Sequence, residues 1–334
     1  MVGAISLSPR YDEHDPESYE RPRRRTRPRT KERPSYDDAV PAQVITVDRG
    51  RYTCLTQGPT QEPTVVMAMK SRPLGRKGVV VGDQVRLVGD LSGRDGSLAR
   101  IVQVEPRRTV LRRTADDADP VERVIVANAD QLVIVTALAN PEPRTGLIDR
   151  ALVAAFDAGM TPLLCLTKSD LASPDSLVAN YAPLGISWVV TQRGGDLSEL
   201  RQRLREHNSV LIGHSGVGKS TLVNALIPDA DRATGKVNDV TGRGRHTSTS
   251  AVLLPLPDGG SIVDTPGIRS FGLAHVKADH LIKAFPDLDD LTDDCPRGCP
   301  HTDGQPDCGL DQATGLQAER VQSLRRMLAG SAEA

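Results

Sequence analysis

One stretch constrains this chain more than any other: Gly213-His214-Ser215-Gly216-Val217-Gly218-Lys219-Ser220, entered from the apolar run SVLIG and left through STLVNALI. The pattern G-x-x-x-x-G-K-[ST] between a strand and a helix is that of a phosphate-binding loop. Successive backbone N–H groups curl around phosphate oxygens, and the helix N-terminus adds partial positive charge. Gly213, Gly216 and Gly218 permit the close approach, while His214, Ser215, Val217 and, one residue on, Thr221 complete the cradle. Lys219 is placed for the β- and γ-phosphates and the Ser220 hydroxyl for Mg²⁺. The loop by itself leaves the base open.

Three further segments have the chemistry to surround the same nucleotide. In SIVDTPG, Asp264 ends an apolar strand, where a carboxylate can assist the Mg²⁺ shell, and the Gly267 N–H can meet the γ-phosphate. Between the two motifs, TGRGRHTSTS is basic and rich in hydroxyls. Thr247, with Thr241 and Ser248 as competitors, can complete the Mg²⁺ shell when a γ-phosphate is present and let go after hydrolysis. The third segment is LCLTKSDL at 164–171. Asp170 can accept from guanine N1–H and N2–H₂, Lys168 can lay its stem along the base, and Thr167 opens the tetrad. This base-reading segment precedes the phosphate loop, the reverse of an ordinary GTPase. A parallel sheet resolves the order, because the site is assembled at the carboxyl ends of strands and depends on their position in space. The segment from Gln131 onward is therefore expected to be a circularly permuted GTPase domain.

The rest of the chain divides by texture. Hydrophobic residues make up 38% and charged residues 25%, and no run is long enough to cross a bilayer, so a globular protein is expected. MVGAISLSPR is not a signal peptide, which implies a cytoplasmic location. Residues 1–39 read as a disordered basic arm: from Arg21 to Arg33 there are eight basic residues against one acid. The arm suits nucleic-acid phosphates, or serves only to solubilise. Residues 40–113 hold short alternating runs broken by Gly and Asp, the pattern of a small barrel of oligonucleotide-binding or SH3-like type, the former preferred. Arg72, Arg76, Lys77, Arg107, Arg108, Arg112 and Arg113 lie in its loops and exit segment, where they could follow a phosphate backbone. Residues 114–272 alternate apolar strands such as QLVIVTAL with helical patterns such as LIDRALVAAFDAG, giving a parallel sheet flanked by helices. In residues 273–334, Cys295, Cys299, His301 and Cys308 crowd together before an amphipathic helix. Three thiolates and one imidazole suit a closed structural zinc site, with a disulfide plus a free thiol as the alternative.

At this point the sequence resembles the circularly permuted GTPases that depend on the small ribosomal subunit, the RsgA/YjeQ family. TKSD, GHSGVGKS, RGRHTSTS, DTPGIRSFGL and the Cys/His cluster carry the likeness in that order. The resemblance implies a multidomain chain: an N-terminal all-β oligonucleotide-binding barrel, a central α/β permuted P-loop GTPase domain and a C-terminal zinc-binding α domain. It also implies a monomer that binds GTP and GDP, acts on the 30S subunit and its 16S rRNA, and has no membrane association. Two positions depart from the family: Thr167 stands where Asn is usual, and the cluster is spaced Cys-x3-Cys-x-His-x6-Cys. Ile268 occupies the position of the water-positioning glutamine in Ras-like enzymes, so unassisted hydrolysis should be slow, about 10⁻⁴ to 10⁻² s⁻¹. His246, beside the switch threonine, is the candidate water-orienting group, and a plain surface histidine is its alternative.

Overall fold

The computed structural model describes residues 36–56, 63–75, 78–113, 123–227, 251–265 and 281–332. The Arg-rich arm, Arg76, Lys77, residues 228–250 and residues 266–280 lie outside them. Among the described residues no helix is long and apolar enough to cross a membrane.

Five strands form a closed barrel: β1 (Val40–Asp48), β2 (Arg51–Thr56), β3 (Val65–Lys70), β4 (Gln84–Gly89) and β5 (Ala99–Val104). They pair in the order β1-β2-β3-β5-β4, and β4 returns to β1; only β3 and β5 run parallel. Alternation turns Val44, Cys54, Val66, Leu87 and Ile101 inward. A bulge between Val44 and Thr46 breaks that alternation in β1. Ile45, at the bulge, joins the large core of the following domain instead of the barrel's own.

A hairpin of β6 (Val110–Arg113) and β7 (Arg123–Ala127) follows, and residues 114–122 between its strands are not described. The sequence boundary at residue 113 falls between these two paired strands, each too short for its alternation to stand out. The turn before β4 is fastened to this exit segment. Arg107 Nε and Nη2 donate to the two carboxylate oxygens of Asp83 at 2.7 and 2.8 Å, and Asp83 is fully buried. Arg107 thus has a structural partner and is not available to follow a phosphate backbone. Gly82, at φ +88°, cannot be replaced, since a Cβ would lie 2.0 Å from the Ala127 carbonyl oxygen.

The central sheet contains β8 (Gln131–Ala137), β9 (Thr161–Thr167), β10 (Ser187–Val190), β11 (Asn208–Ile212), β12 (Val252–Pro255) and β13 (Ser261–Asp264). Their order is β10-β9-β8-β11-β13-β12; the first five are parallel and the last, β12, is antiparallel. Every residue of β8 is buried, as a strand covered on both faces requires. Leu132 and Ile134 enter the core beneath α1 (Thr145–Asp157), while Val133 and Val135 enter the one beneath α3 (Ser198–Leu204) and α4 (Lys219–Leu226). The helix α2 (Asp175–Tyr181) lies on the α1 face through Leu177 and Tyr181.

Barrel and central sheet are one hydrogen-bonded surface of eleven strands, because β1 pairs with β12 at Thr46 and Val252. Beyond residue 281 come a one-turn helix (Pro286–Asp289), tight turns and α5 (Leu316–Ala332). Val321, Leu324, Met327 and Leu328 of α5 extend the core under α1.

The buried carboxylate of Asp83 gives a direct test of this frame. Removing one partner of such a pair leaves an uncompensated charge, so Arg107→Met should destabilise the protein by about 3–5 kcal/mol in urea unfolding. Arg123→Met, at an exposed position, should change stability by less than about 0.5 kcal/mol.

Candidate nucleotide site and metal centre

The parallel strands β9, β8, β11 and β13 are neighbours, so their carboxyl ends open onto one edge of the sheet. Only β8 separates β9 from β11. At a strand spacing of about 4.8 Å, β9 and β11 are about 10 Å apart across the sheet, so the loops that follow them are within reach of one nucleotide.

The phosphate loop leaves β11 at Ile212 and enters α4 at Lys219. Gly216 and Gly218 take φ of +84° and +93°, which side chains strongly disfavour. A Cβ on Gly213 would come within 2.5 Å of the Val135 carbonyl oxygen. Ser220 and Thr221 are exposed in the first turn of α4, and His214 donates from Nδ1 to the Ser215 carbonyl at 2.8 Å. Lys219 Nζ donates to Asp264 at the end of β13 and, at 3.5 Å, to the Thr265 carbonyl. Thr265 in turn donates its hydroxyl to the Leu211 carbonyl at 2.8 Å, latching the ends of β13 and β11 together. Beside the loop lies a shallow cleft bordered by Pro141, Glu142 and Arg144 after β8 and by Leu147 and Ile148 of α1.

The tetrad is bonded to that loop. The Thr167 hydroxyl lies 2.6 Å from the Val217 carbonyl oxygen and 3.3 Å from that of Thr136. Lys168, at φ +59°, donates from Nζ to the Asn140 carbonyl, and the Ser169 N–H donates to the Thr191 carbonyl at 3.2 Å. Asp170 is exposed on the turn that follows. Residues 191–195 after β10 form the adjacent loop, held by the Thr191 N–H bonding to the Leu166 carbonyl at 2.8 Å. Thus Thr167, Lys168, Asp170, the phosphate loop and Asp264 share one edge. His246, Thr247, Gly267 and the competitors Thr241 and Ser248 lie outside the described residues, as does Ile268.

The second cluster is separate from this edge in sequence and chemistry. One ligand atom from each of Cys295, Cys299, His301 and Cys308 lies within 4.8 Å of every other. His301 Nδ1 is 3.7 Å from both Cys295 Sγ and Cys308 Sγ. A tetrahedron with metal–sulfur bonds of about 2.3 Å and metal–nitrogen bonds of about 2.0 Å has edges of about 3.5–3.8 Å, so these four residues fit a bound metal ion. The Gly309 N–H donates to Cys295 Sγ at 3.1 Å, the kind of outer contact that holds a thiolate ligand. Cys54 and Cys165 are packed in the barrel core and the central-sheet core, where burial pushes their thiols up to about 12. Thr265, Asn140 and Gly309 have no sequence signature for these contacts, since each acts through a backbone atom or a local latch.

Comparison with known proteins places this geometry. The family model described as RsgA GTPase matches residues 104–274. The small ribosomal subunit biogenesis GTPase RsgA of Ectopseudomonas mendocina is 42% identical over 267 residues, covering 76% of each chain. The protein of the same name from Azotobacter vinelandii is 41% identical over the same length, again covering 76% of each. Among solved structures, YjeQ from Thermotoga maritima superposes with a TM-score of 0.64 at 26% identity, covering 89% of this chain and 99% of that one. YloQ, a circularly permuted GTPase, gives a TM-score of 0.63 at 20% identity, covering 90% and 98%, and this likeness concerns the fold.

The link between tetrad and phosphate loop is directly testable. Thr167→Val removes the hydroxyl that donates to the Val217 carbonyl and leaves that carbonyl, among the described residues, buried without a partner, a cost of about 1–3 kcal/mol. GDP and GTP should both bind roughly tenfold or more weakly by titration calorimetry. Thr167→Ser, which keeps the hydroxyl, should bind both nearly as the parent does.

Proposed function

Because the chain belongs to the RsgA GTPase family and is a GTP-hydrolysing enzyme, we propose that it is a late maturation factor of the 30S ribosomal subunit, binding 16S rRNA and slow until the subunit stimulates it. The observation that carries this reading is the shared edge on which Thr167 bonds to the phosphate loop and Lys219 meets Asp264.

In this reading residues 40–113 are an oligonucleotide-binding barrel, 114–272 the permuted GTPase domain and 273–334 a helical zinc domain, with 1–39 as a basic arm. The strand order β1-β2-β3-β5-β4 with its parallel β3–β5 pair supports the oligonucleotide-binding type over the SH3-like one. Asp170 accepts from N1–H and N2–H₂ of guanine, a pairing adenine cannot offer, and Lys168 lies along the base. The backbone of residues 213–218 holds the phosphates, and Lys219 compensates the charge that develops on them. Ser220 and Thr247 would hold Mg²⁺, with Asp264 behind them; the ion neutralises the β- and γ-oxygens when bound. The Gly267 N–H meets the γ-phosphate. Ile268 has no group to orient water, and His246 takes that task. Cys295, Cys299, His301 and Cys308 would hold one structural Zn²⁺, which fastens a loop that has little core of its own.

Contact with rRNA is supported at the barrel by Arg49, Arg51 and Arg100, exposed on and beside β2 and β5. In the metal region the exposed Arg297 lies among many aspartates, so the barrel is the stronger candidate. We place the protein in the cytoplasm as a monomer.

Steady-state GTP hydrolysis with and without purified 30S subunits tests the proposal. Basal turnover of about 10⁻⁴ to 10⁻² s⁻¹ is expected, rising at least tenfold on adding subunits. No stimulation at saturating subunits would overturn the ribosomal reading. Asp170→Ala should weaken GTP binding while leaving weak ATP binding unchanged.

A further inference from the structure

We propose that Arg325 is the residue through which the metal site holds the C-terminal helix, so that the seating of α5 on the GTPase domain depends on the bound metal. This inference rests on the reading of Cys295, Cys299, His301 and Cys308 as metal ligands.

The guanidinium of Arg325 spans the metal loop. Its Nε donates to the His301 carbonyl at 3.3 Å, and its Nη2 contacts Cys308 Sγ at 3.8 Å and Asp311 Oδ1 at 2.6 Å. Its Nη1 lies 3.5 Å from Asp303 Oδ1, and the side chain is only 15% exposed. Two ligand residues and two flanking carboxylates therefore share one cation. The charge count explains why a cation belongs there. Three thiolates around a dication carry one net negative charge, and Cys299, His301 and Cys308 are buried. An uncompensated charge in that setting is costly, and the fork of an arginine can meet a sulfur, a carbonyl and a carboxylate together. A lysine has the charge without the fork.

The next residue faces a different partner. Arg326 Nε is 3.3 Å from Asp149 Oδ2 on α1, its Nη2 donates to the Asn180 carbonyl at 3.2 Å, and its Cζ lies 5.3 Å from the centre of the Tyr181 ring. Arg320 adds a bond from Nε to the Pro183 carbonyl at 2.8 Å and an ion pair with Asp287. Consecutive helical residues diverge by about 100°, so α5 touches the metal loop on one side and α1 and α2 on the other. Asp149 is buried, with Tyr181 and Arg326 beside its carboxylate. Burial holds its carboxyl above the usual carboxylate range, against the pull of Arg326. On the α1 side, buried Val321, Leu324, Met327 and Leu328 pack into the core beside the polar contacts of Arg326, while the metal loop holds the other side of α5 through Arg325. The metal fixes His301 and Cys308, these fix Arg325, and Arg325 fixes that side of α5.

Two measurements on the full-length protein decide the matter: zinc affinity by competition with a chromophoric chelator, and amide hydrogen exchange across residues 316–329. Arg325→Met should bind zinc about tenfold to a hundredfold more weakly, with Arg325→Lys in between, and exchange in α5 should accelerate. Stripping zinc from the parent protein should accelerate the same amides. Arg326→Met should loosen α5 while leaving zinc affinity unchanged. Equal zinc affinity in the parent and Arg325→Met, or unchanged α5 exchange after stripping, overturns the inference while the metal reading stands. A parent protein that takes up no zinc defeats the metal reading itself and the inference with it.

Discussion

The structure depends on the parallel alignment of β9, β8, β11 and β13. Parallel neighbours place every carboxyl end on the same edge, so the loops that follow them meet whatever their order along the chain. The tetrad after β9 precedes the phosphate loop by some fifty residues, as the Thr167–Val217 separation shows. That interval is occupied by α2, β10 and α3, which complete the sheet and cover its two faces. The contacts that define the site run across the strands and owe nothing to chain direction: Thr167 to Val217, Lys219 to Asp264, Thr265 to Leu211.

The same sheet joins the barrel to the site. Leu211 pairs with Asp264, Asp264 with Val252, and Val252 with Thr46. One row of residues thus runs from the phosphate-loop strand, through the carboxylate that meets Lys219, to the first strand of the barrel. Ile45 reinforces the seam by placing its side chain in the core beneath α1, and on the other side the Ala127 N–H donates to the Val81 carbonyl and Asn128 Nδ2 to the Gly82 carbonyl, each at 3.0 Å. A barrel attached by a shared core and by backbone hydrogen bonds on both sides cannot swing as a tethered bead would. Two separate textures in the sequence have become one compact unit from Asp38 onward.

Much of this was legible in the residues because the relevant signals are local. The strand–loop–helix around Lys219 is dictated by glycine spacing, the burial of β8 by an unbroken apolar run, and the metal cluster by ligand type and proximity. What was not legible depends on pairing at a distance. Nothing in AVLLPL distinguishes an antiparallel strand from a parallel one, and β12 is antiparallel because its partners are β13 and the barrel's β1. The bulge at Ile45 has no glycine or proline to announce it. Arg107 looked like a surface cation among others because its partner Asp83, 24 residues earlier, is hidden by the fold. The short strands β6 and β7 pair across the boundary at residue 113 that texture alone sets between barrel and GTPase domain.

The departure at Thr167 shows how local chemistry can preserve a long-range link. An asparagine amide offers two N–H donors and a carbonyl, and could serve two backbone partners at once. A threonine hydroxyl has one proton, and here two carbonyl oxygens lie within range, at 2.6 Å in the phosphate loop and 3.3 Å at Thr136. Hydrogen-bond strength falls with distance, so the proton belongs to Val217. The connection between the tetrad and the glycine-rich loop therefore survives, and what the amide would have added is left to neighbouring groups. Lys168 bonding to the Asn140 carbonyl and Ser169 to the Thr191 carbonyl hold the turn in place around it. Threonine also keeps the branched side chain that a buried strand end favours, and Thr167 is only 6% exposed. At this position the packing of β9 and the bridge to the phosphate loop are met by the same small residue, with a single hydrogen bond joining the two ends of the nucleotide site.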